Sequence, residues 1–214
     1  MFRPLLPFKF KFLKKDFSNR EINYLDIGCG NHSPSITKKL FPKWNYSGVD
    51  RDDYAIDSHD KESMLRYYKI DLTCEPLDCL PNGFYDVIMM SHVIEHLPNG
   101  LNVLEDLVVK LKSGGMFYIE FPSVRSLSFP SMPGSLNFCD DPTHVRVYSI
   151  HEIANLLLAN GCRIVRAGTR RDKVRIFLCP LVALVKLFRD GKLSGASFWD
   201  LFGFSEYVYA EKLR

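Results

Sequence analysis

The sequence predicts an α/β protein of one domain, built on a doubly wound and mainly parallel β-sheet. Short apolar runs alternate with segments whose apolar residues recur at helical spacing, and this alternation is typical of strand–helix–strand units. The 214 residues are enough for one such domain with a sizeable core and few for two. We therefore expect one domain at residues 21–214, preceded by a basic and aromatic arm at residues 1–20.

Composition argues against several other classes of protein. A hydrophobic content of 46% and a charged content of 25% are ordinary for a globular chain. The 28 basic and 25 acidic residues are too balanced for a nucleic-acid binder, so no nucleic-acid partner is expected. Six cysteines occur without a C-x-x-C pair and several lie in apolar runs, which indicates buried thiols and a cytoplasmic setting. The apolar stretches are too short for a membrane span or a signal peptide.

Seven apolar runs predict the strands, and three periodic segments predict helices. The strands are residues 22–27, 45–50, 67–72, 84–90, 115–121, 162–168 and 206–212, and the helices are residues 33–42, 98–115 and 149–161. The first helix is expected to begin with Ser33 as its N-cap and Pro34 at the first helical position. The second is expected to stop at the glycine pair 114–115. Ser149 and Glu152 have capping-box spacing at the start of the third.

Two segments interrupt this alternation. Residues 122–148 are rich in Pro, Ser and Gly and predict a long loop after the fifth strand. Residues 170–203 predict an insertion between the last two strands, basic at its start and then strongly apolar. Because long loops in compact domains are often functional lids, we expect the two segments to form a helical and loop cap.

The loop after the first strand, in YLDIGCGNHS, carries two glycines and an aspartate. It is expected at the carboxyl edge of the sheet, where doubly wound folds bind ligands. Gly28 and Gly30 are followed by Ser33, so the G-x-G-x-x-G pattern of an NAD(P)-dependent oxidoreductase is incomplete, and His32 replaces the third glycine of a G-x-G-x-G loop. The Asp26 carboxylate would repel a diphosphate but suits a cationic ligand without phosphate.

Two further aspartates close the next two strands. Asp50 lies 22 residues after Gly28, where an acidic side chain can accept hydrogen bonds from both hydroxyls of a ribose. Asp71 follows the third strand, where it could accept from an adenine amino group while Leu72 packs on the ring. Each aspartate alone could be a loop-start cap. Three of them at successive strand ends of one sheet favour a nucleoside ligand.

With these motifs in order, the chain resembles the class I S-adenosylmethionine-dependent methyltransferases, in particular their type 11 and type 23 domains. The resemblance rests on YLDIGCG, YSGVD, IDL, YDVIMMSHVIEHLP and LKSGGMFYIEFP across residues 22–168, and EYVYAEK resembles the last antiparallel strand. It implies a Rossmann-like sheet of strand order 3-2-1-4-5-7-6. It also implies S-adenosylmethionine as the cofactor, with S-adenosylhomocysteine as the product.

The resemblance also implies the residues that bind this cofactor. Asp26 and the loop from Gly28 to Gly30 would border the methionine moiety, Asp50 the ribose and Asp71 with Leu72 the adenine. The full predicted set is Asp26, Gly28, Cys29, Gly30, Asn31, Asp50, Arg51, Asp71, Leu72, Ser91 and His92.

The segment SHVIEHLP brings two histidines and a glutamate together. His92, Glu95 and His96 spell H-x-x-E-H, an inverted zinc-protease motif that needs both histidines on one face of a long helix. Pro98 follows directly and the segment begins at a strand end, so we expect no metal site. Glu95 and His96 are expected to hydrogen-bond the turn under the sheet edge. His92 is the better candidate for a catalytic residue.

A second polar group lies in CDDPTHVRVYS. A loop histidine such as His144 suits general-base removal of a hydroxyl or amine proton, and Arg146 could anchor a carboxylate or phosphate of the acceptor. The alternatives are structural: His144 could fix the loop through Asp140 or Asp141, and Arg146 could pair with an aspartate. Either His144 or His92 would serve as the base.

The expected activity is transfer of a methyl group from S-adenosylmethionine to an oxygen or nitrogen of a small metabolite or sugar. Similar insertions before the last strand are found in methyltransferases that look associated with bacterial polysaccharide or lipid-linked sugar synthesis. The alternative is a catalytically silent scaffold of this fold that docks to a membrane or a protein partner. The oligomeric state stays open between monomer and homodimer.

The arm and the insertion bear on that alternative, because both combine basic and aromatic or apolar residues. The arm interleaves Phe2, Phe8, Phe10 and Phe12 with Arg3, Lys9, Lys11, Lys14 and Lys15. Such segments can lie on an anionic membrane, here the inner face of the cell membrane. The favoured expectation is that they pack over the substrate pocket or between subunits.

Overall fold

The computed structural model describes residues 6–213 as one mixed sheet with helices on both faces. Phe2 and Arg3 of the arm lie outside the described residues. The strands are β1 (Ile22–Ile27), β2 (Trp44–Asp50), β3 (Arg66–Lys69), β4 (Tyr85–Ser91), β5 (Leu111–Pro122), β6 (Cys162–Thr169) and β7 (Ser205–Lys212). The α-helices are α1 (Phe10–Phe17), α2 (Ser33–Leu40), α3 (Ser58–Ser63), α4 (Gly100–Lys110), α5 (Ile150–Ala159), α6 (Lys173–Asp190) and α7 (Trp199–Phe202).

The sheet confirms the predicted topology. Its seven strands run in the order β3-β2-β1-β4-β5-β7-β6. β1 pairs in parallel with β2 and β4, while β7 lies antiparallel between β5 and β6. The carboxyl ends of β1, β2 and β4 therefore meet at one edge, where the order of the strands reverses.

Two predicted helix boundaries are wrong. Ser33 is already inside α2, and His32 occupies the N-cap position with a left-handed backbone. α4 ends at Lys110, and the glycine pair 114–115 belongs to β5, because the chain passes from the helix directly into that strand. Ser149 does cap α5, where its hydroxyl accepts the Glu152 N–H.

The core lies on both faces of the sheet. On one face, α4 and α5 bury leucines and isoleucines against β4 and β5. On the other, α1 inserts Phe10, Leu13 and Phe17 beside Trp44 and Tyr24. The described part of the arm is thus a helix packed into this core, with its phenylalanines turned inward.

The two irregular segments pack against each other. Residues 122–148 contain only short 3-10 helices, Val124–Ser128 and Phe138–Asp140, and residues 170–203 contain α6 and α7. The Trp199 indole N–H donates to the Ser135 carbonyl at 2.6 Å, and the Gly195 N–H donates to Pro133 at 2.7 Å. Within residues 6–213, no helix combines the length and apolarity that crossing a membrane would require.

Candidate active site

The glycine loop begins where β1 ends and leaves no room for a side chain. Gly28 has φ +74°, and a Cβ there would lie 2.4 Å from Val93 Cγ2. Its N–H donates to the Val49 carbonyl at the end of β2. The loop is therefore held between the ends of β2 and β4, and a residue with a side chain would be strained at position 28.

Asp26 lies directly below this loop and is almost fully buried. Its Oδ2 accepts hydrogen bonds from Ser33 Oγ and from the Tyr46 hydroxyl, both at 2.6 Å. Burial and the charge of Asp26 raise the pKa of Tyr46 well above its usual value, so the phenol keeps its proton. The sequence predicted the carboxylate, and its two hydroxyl donors come from α2 and β2.

Asp50 joins the glycine loop to the end of β2. Its Oδ2 accepts the Gly30 N–H at 2.9 Å. The following segment folds back over the loop, where the carbonyls of Tyr54 and Ala55 accept the N–H groups of Asn31 and His32 at 3.1 Å. Asp50 thus holds Gly30, and the segment after β2 holds Asn31 and His32, so the loop is fixed from the side of β2.

His32 adopts the backbone conformation that a glycine would otherwise supply. Its φ is 57°, and its Nδ1 lies 2.7 Å from Oδ2 of Asp60, at the start of α3. Burial alone would raise the pKa of Asp60, but hydrogen bonds from Ser35, the Asp57 N–H and His32 lower it to about 2. A fixed carboxylate therefore anchors His32 and offsets the cost of its left-handed conformation.

Three other residues of the predicted cofactor set, Arg51, Asp71 and Leu72, follow β2 and β3. β3 ends at Lys69, two residues before Asp71, whose Oδ1 accepts from the Thr73 N–H and hydroxyl. Leu72 is buried in the core. Arg51 is exposed and pairs with Asp52 at 2.9 Å. Asp71 therefore serves as a turn cap in this structure.

His92 follows Ser91, the last residue of β4, and lies between two carboxylates. Its Nδ1 is 3.1 Å from Glu95 Oε1, and its Nε2 is 3.2 Å from Glu120 Oε1 and 3.1 Å from Ser205 Oγ. Burial alone would lower the pKa of His92, but the hydrogen bonds to Glu120 and Glu95 outweigh it and raise the pKa to about 9. At neutral pH the imidazole is therefore a cation.

Glu120 extends this group into a network that links the sheet to the cap. Arg170 donates to Glu120 Oε1 at 2.8 Å and to Asp200 Oδ2 at 3.0 Å. Burial would raise the pKa of Glu120, but the hydrogen bond from His92 and the charge of Arg170 hold it well below its usual range. The Trp199 ring lies 4.9 Å from the His92 ring.

Glu120, Arg170 and Asp200, which form this network, were not predicted from the sequence. Glu120 did leave a signal, because it is a lone carboxylate in the apolar run MFYIEFP. Arg170 and Asp200 left none, since each lies among other charged or aromatic residues of the insertion.

His144 meets the turn after β4 from the other side. Its Nδ1 lies 2.7 Å from the Phe138 carbonyl, which as an acceptor places the proton on Nδ1 of the neutral ring and leaves a lone pair on Nε2. Asp141 Oδ2 lies 3.9 Å from Nε2, too far for a hydrogen bond. His144 is therefore fixed in the loop by the backbone carbonyl of Phe138, and not by the predicted hydrogen bond to Asp140 or Asp141.

The Glu95 carboxylate lies close to His96 and His144. One oxygen of its carboxylate, one ring nitrogen of His96 and one of His144 lie within 4.8 Å of one another. Glu95 Oε2 is buried and has no hydrogen-bond partner among the described residues. These residue types could hold a divalent cation or a polar group of a ligand. The Glu95 carbonyl also accepts the N–H groups of Val145 and Arg146, which ties the loop to this turn.

The Arg146 guanidinium already contacts two side chains of its own chain segment. Its guanidinium donates to Glu152 Oε1 at 2.6 Å and lies over the Tyr148 ring. The predicted pairing with an aspartate is thus made with a glutamate of α5.

Comparison with known proteins gives the family of this chain. Residues 1–167 match a family described as a methyltransferase domain, which covers well over half of the chain. The chain therefore belongs to this family of methyltransferases. The family and the fold also confirm S-adenosylmethionine as the cofactor.

The curated relatives share only part of their length with this chain. Trans-aconitate 2-methyltransferase of Rhizobium rhizogenes is 29% identical over 109 residues, which are 50% of this chain and 40% of that protein. Ubiquinone biosynthesis O-methyltransferase of Rickettsia conorii is 28% identical over 117 residues, which are 53% of this chain and 39% of that protein. The chain thus spans about 40% of the length of these relatives.

Solved structures share the fold over nearly the whole chain. An S-adenosylmethionine-dependent methyltransferase of Archaeoglobus fulgidus has a TM-score of 0.65 at 22% identity, with 95% of this chain and 91% of that chain covered. An N-methyltransferase of Haemonchus contortus, in complex with phosphomonomethylethanolamine and S-adenosylhomocysteine, has a TM-score of 0.67 at 16% identity, with 96% and 52% covered.

Proposed function

We propose that this chain transfers a methyl group from S-adenosylmethionine to an oxygen or nitrogen of a small metabolite or saccharide. The observation that carries the proposal is the unit formed by Gly30 and Asp50 above the buried Asp26. The Asp50 carboxylate lies at the loop, where ribose hydroxyls can donate to it, and the buried charge of Asp26 below the loop favours a ligand that carries an ammonium and a sulfonium over one that carries a diphosphate. The sulfonium supplies the reactive methyl group, and the protein contributes mainly alignment of acceptor, methyl and sulfur.

Binding of the cofactor tests this proposal. Asp50→Ala should weaken binding of S-adenosylmethionine and S-adenosylhomocysteine about 100-fold, because hydrogen bonds from the ribose hydroxyls to a carboxylate are lost. Isothermal titration calorimetry measures this change. Asp78→Ala, which alters an exposed aspartate, is the matched control and should bind normally. The proposal fails if neither ligand binds the unaltered chain or if Asp50→Ala binds as tightly.

We assign proton removal from a hydroxyl acceptor to His144 rather than His92. A general base needs a nitrogen that is not already bonded, and the contact from His144 Nδ1 to Phe138 leaves Nε2 for this role, whereas both ring nitrogens of His92 face carboxylates that raise its pKa to about 9. His92 instead places a positive charge beside the end of β4. His144→Ala should lower kcat for a hydroxyl acceptor by about 10²- to 10⁴-fold. The exposed His151→Ala should leave kcat unchanged, and an equal loss in both variants would contradict the assignment.

The cap offers room for an acceptor. A cleft of about 480 Å³ is lined by Ser131, Met132, Pro133, Gly134, Ser135, Cys139 and Asp140. Trp199 contacts both Ser135 in this cleft and the His92 ring. The wall of the cleft consists of serine hydroxyls and backbone groups, which favours a polar acceptor such as a saccharide. A lipid-linked saccharide would bring the enzyme to a bilayer. Transfer of radiolabelled methyl into lipid extracts or into water-soluble saccharides separates these acceptors, and label in neither fraction supports a silent scaffold.

A further inference from the structure

Helix α6 turns a continuous apolar face toward solvent. This face, called here the α6 face, consists of Val174, Phe177, Leu181, Leu184, Val185 and Phe188. Phe177 and Phe188 are 83% and 82% exposed, and Leu181 is 60% exposed. Their spacing of three or four residues places them on one side of the 18-residue helix.

The interior does not require this face to be apolar. α6 contacts the rest of the protein through its opposite side, where Cys179 and Ala183 are its buried residues. The Cys179 thiol lies against the Ser197 carbonyl at 3.4 Å. The expectation that the apolar part of the insertion packs over the substrate pocket therefore does not hold for the α6 face. Exposing two phenylalanines on one stripe to water costs free energy, and moving them into an apolar phase is favourable.

Basic residues border the α6 face. Lys173 and Arg189 are exposed near its two ends, and Arg189 also pairs with the neighbouring Asp190 at 2.7 Å. α1 adds to them, because Lys11 pairs with Asp172, the N-cap of α6, at 2.8 Å. That pair sets α1, with its exposed Lys14 and Lys15, beside the start of α6.

We propose that the α6 face docks on an anionic phospholipid bilayer. The helix lies in the plane of the interface, with Phe177, Leu181 and Phe188 in the acyl boundary and the flanking lysines and arginines at the lipid phosphates. Charge complementarity selects this occupant, since a second copy of the chain would bring the same positive border against itself. For a lipid-linked acceptor, a point that rests on the proposed function, docking would hold enzyme and acceptor at the same surface.

Vesicle co-sedimentation of the full chain tests the docking. The unaltered protein should bind vesicles of phosphatidylcholine mixed with phosphatidylglycerol and bind pure phosphatidylcholine much more weakly. Phe177→Ser and Phe188→Ser should each weaken binding to the mixed vesicles roughly tenfold. Leu158→Ser, which alters a 54% exposed leucine on α5, is the matched control and should bind as the unaltered chain does.

The basic border has its own test. Lys173→Gln combined with Arg189→Gln should reduce binding to the mixed vesicles and leave the residual binding to phosphatidylcholine unchanged. Calorimetric binding of S-adenosylhomocysteine should be unchanged in all these variants, which separates docking from the methyl-transfer proposal. Vesicle binding that both serine variants retain overturns the docking. A stable dimer that Phe177→Ser dissociates, with no vesicle binding, also overturns it and assigns the face to a subunit interface.

Discussion

At His92, neighbouring charges set the state of a single imidazole. Glu95 and Glu120 lie within hydrogen-bond distance of its two ring nitrogens, and Arg170 pairs with Glu120 on the far side. With His92 protonated, two cations face the two glutamates. A neutral His92 would leave one buried carboxylate without a charge partner, and such burial is costly. The geometry of the site and the raised pKa of His92 therefore have the same origin.

The charge of His92 predicts how stability depends on pH. Below pH 6.5 the histidine is protonated in both the folded and the unfolded chain, so the stabilisation is complete. It is lost as pH rises from 6.5 through the folded pKa of about 9, and the loss amounts to about 3 kcal/mol of unfolding free energy. Urea unfolding at a series of pH values measures this. His92→Gln, which cannot titrate, should flatten the curve in that window, and an unchanged slope would contradict the prediction.

The predictability of individual site residues depended on where their partners lie. Asp26, Gly28 and Asp50 could be located from sequence because strand ends of a parallel sheet meet at one edge. The state of His92 could not, because it depends on Glu120, 28 residues away, and on Arg170. No local pattern reports such a contact. His32 is a similar case, since its left-handed backbone depends on Asp60 in α3.

Among the elements, strands were easier to predict than helix ends. Strands such as β1 and β4 are buried on both faces, so they form continuous apolar runs that stand out in the sequence. Helix ends depend on one or two backbone angles. The N-cap of α2 moved from Ser33 to His32 because Ser33 uses its hydroxyl on Asp26. α4 ended early because Leu111 already pairs with Tyr85 in the sheet.

Helix α1 is part of the core of the domain. Its sequence combines phenylalanines with lysines, and the favoured expectation was that the arm packs over the substrate pocket or between subunits, yet Phe10 is fully buried against Phe41 and Trp44 in the core. Phe10→Ala should lower the unfolding free energy by about 3–5 kcal/mol, because it empties a closed aromatic cluster. Chemical denaturation measures the loss.

Phe177→Ala on α6 is the matched control for this element. The same side chain is removed, but from a site that is 83% exposed, so stability should change by no more than about 0.5 kcal/mol. Equal losses in the two variants would mean that α1 is not part of the core. A large loss for Phe10 alone supports one folding unit that includes the described arm.

For the molecule as a whole, the joint between cap and sheet is ionic. Arg170 contacts Glu120 in β5 and Asp200 at the start of α7, which lie 50 and 30 residues away in the chain. Asp200 also accepts the Asp172 N–H, and Asp172 pairs with Lys11 of α1. Elements from both ends of the sequence therefore meet in one network beside His92. Sequence patterns predict the elements, whereas such long-range pairing follows only from the assembled fold.

Arg170 is the residue on which this joint depends. Arg170→Ala leaves the buried carboxylates of Glu120 and Asp200 without their guanidinium, so unfolding free energy should fall by about 3–5 kcal/mol. Arg163, whose side chain is 65% exposed in its pair with Glu211, provides the control, and Arg163→Ala should cost about 0–1 kcal/mol.

Hydrogen exchange shows in addition where in the protein Arg170→Ala acts. If Arg170 fastens the cap, its loss should speed exchange in residues 195–204 and leave β1 and β2 protected, because those strands pair with each other away from the network. Uniform acceleration across the sheet would instead place the effect in global stability and contradict a joint specific to the cap.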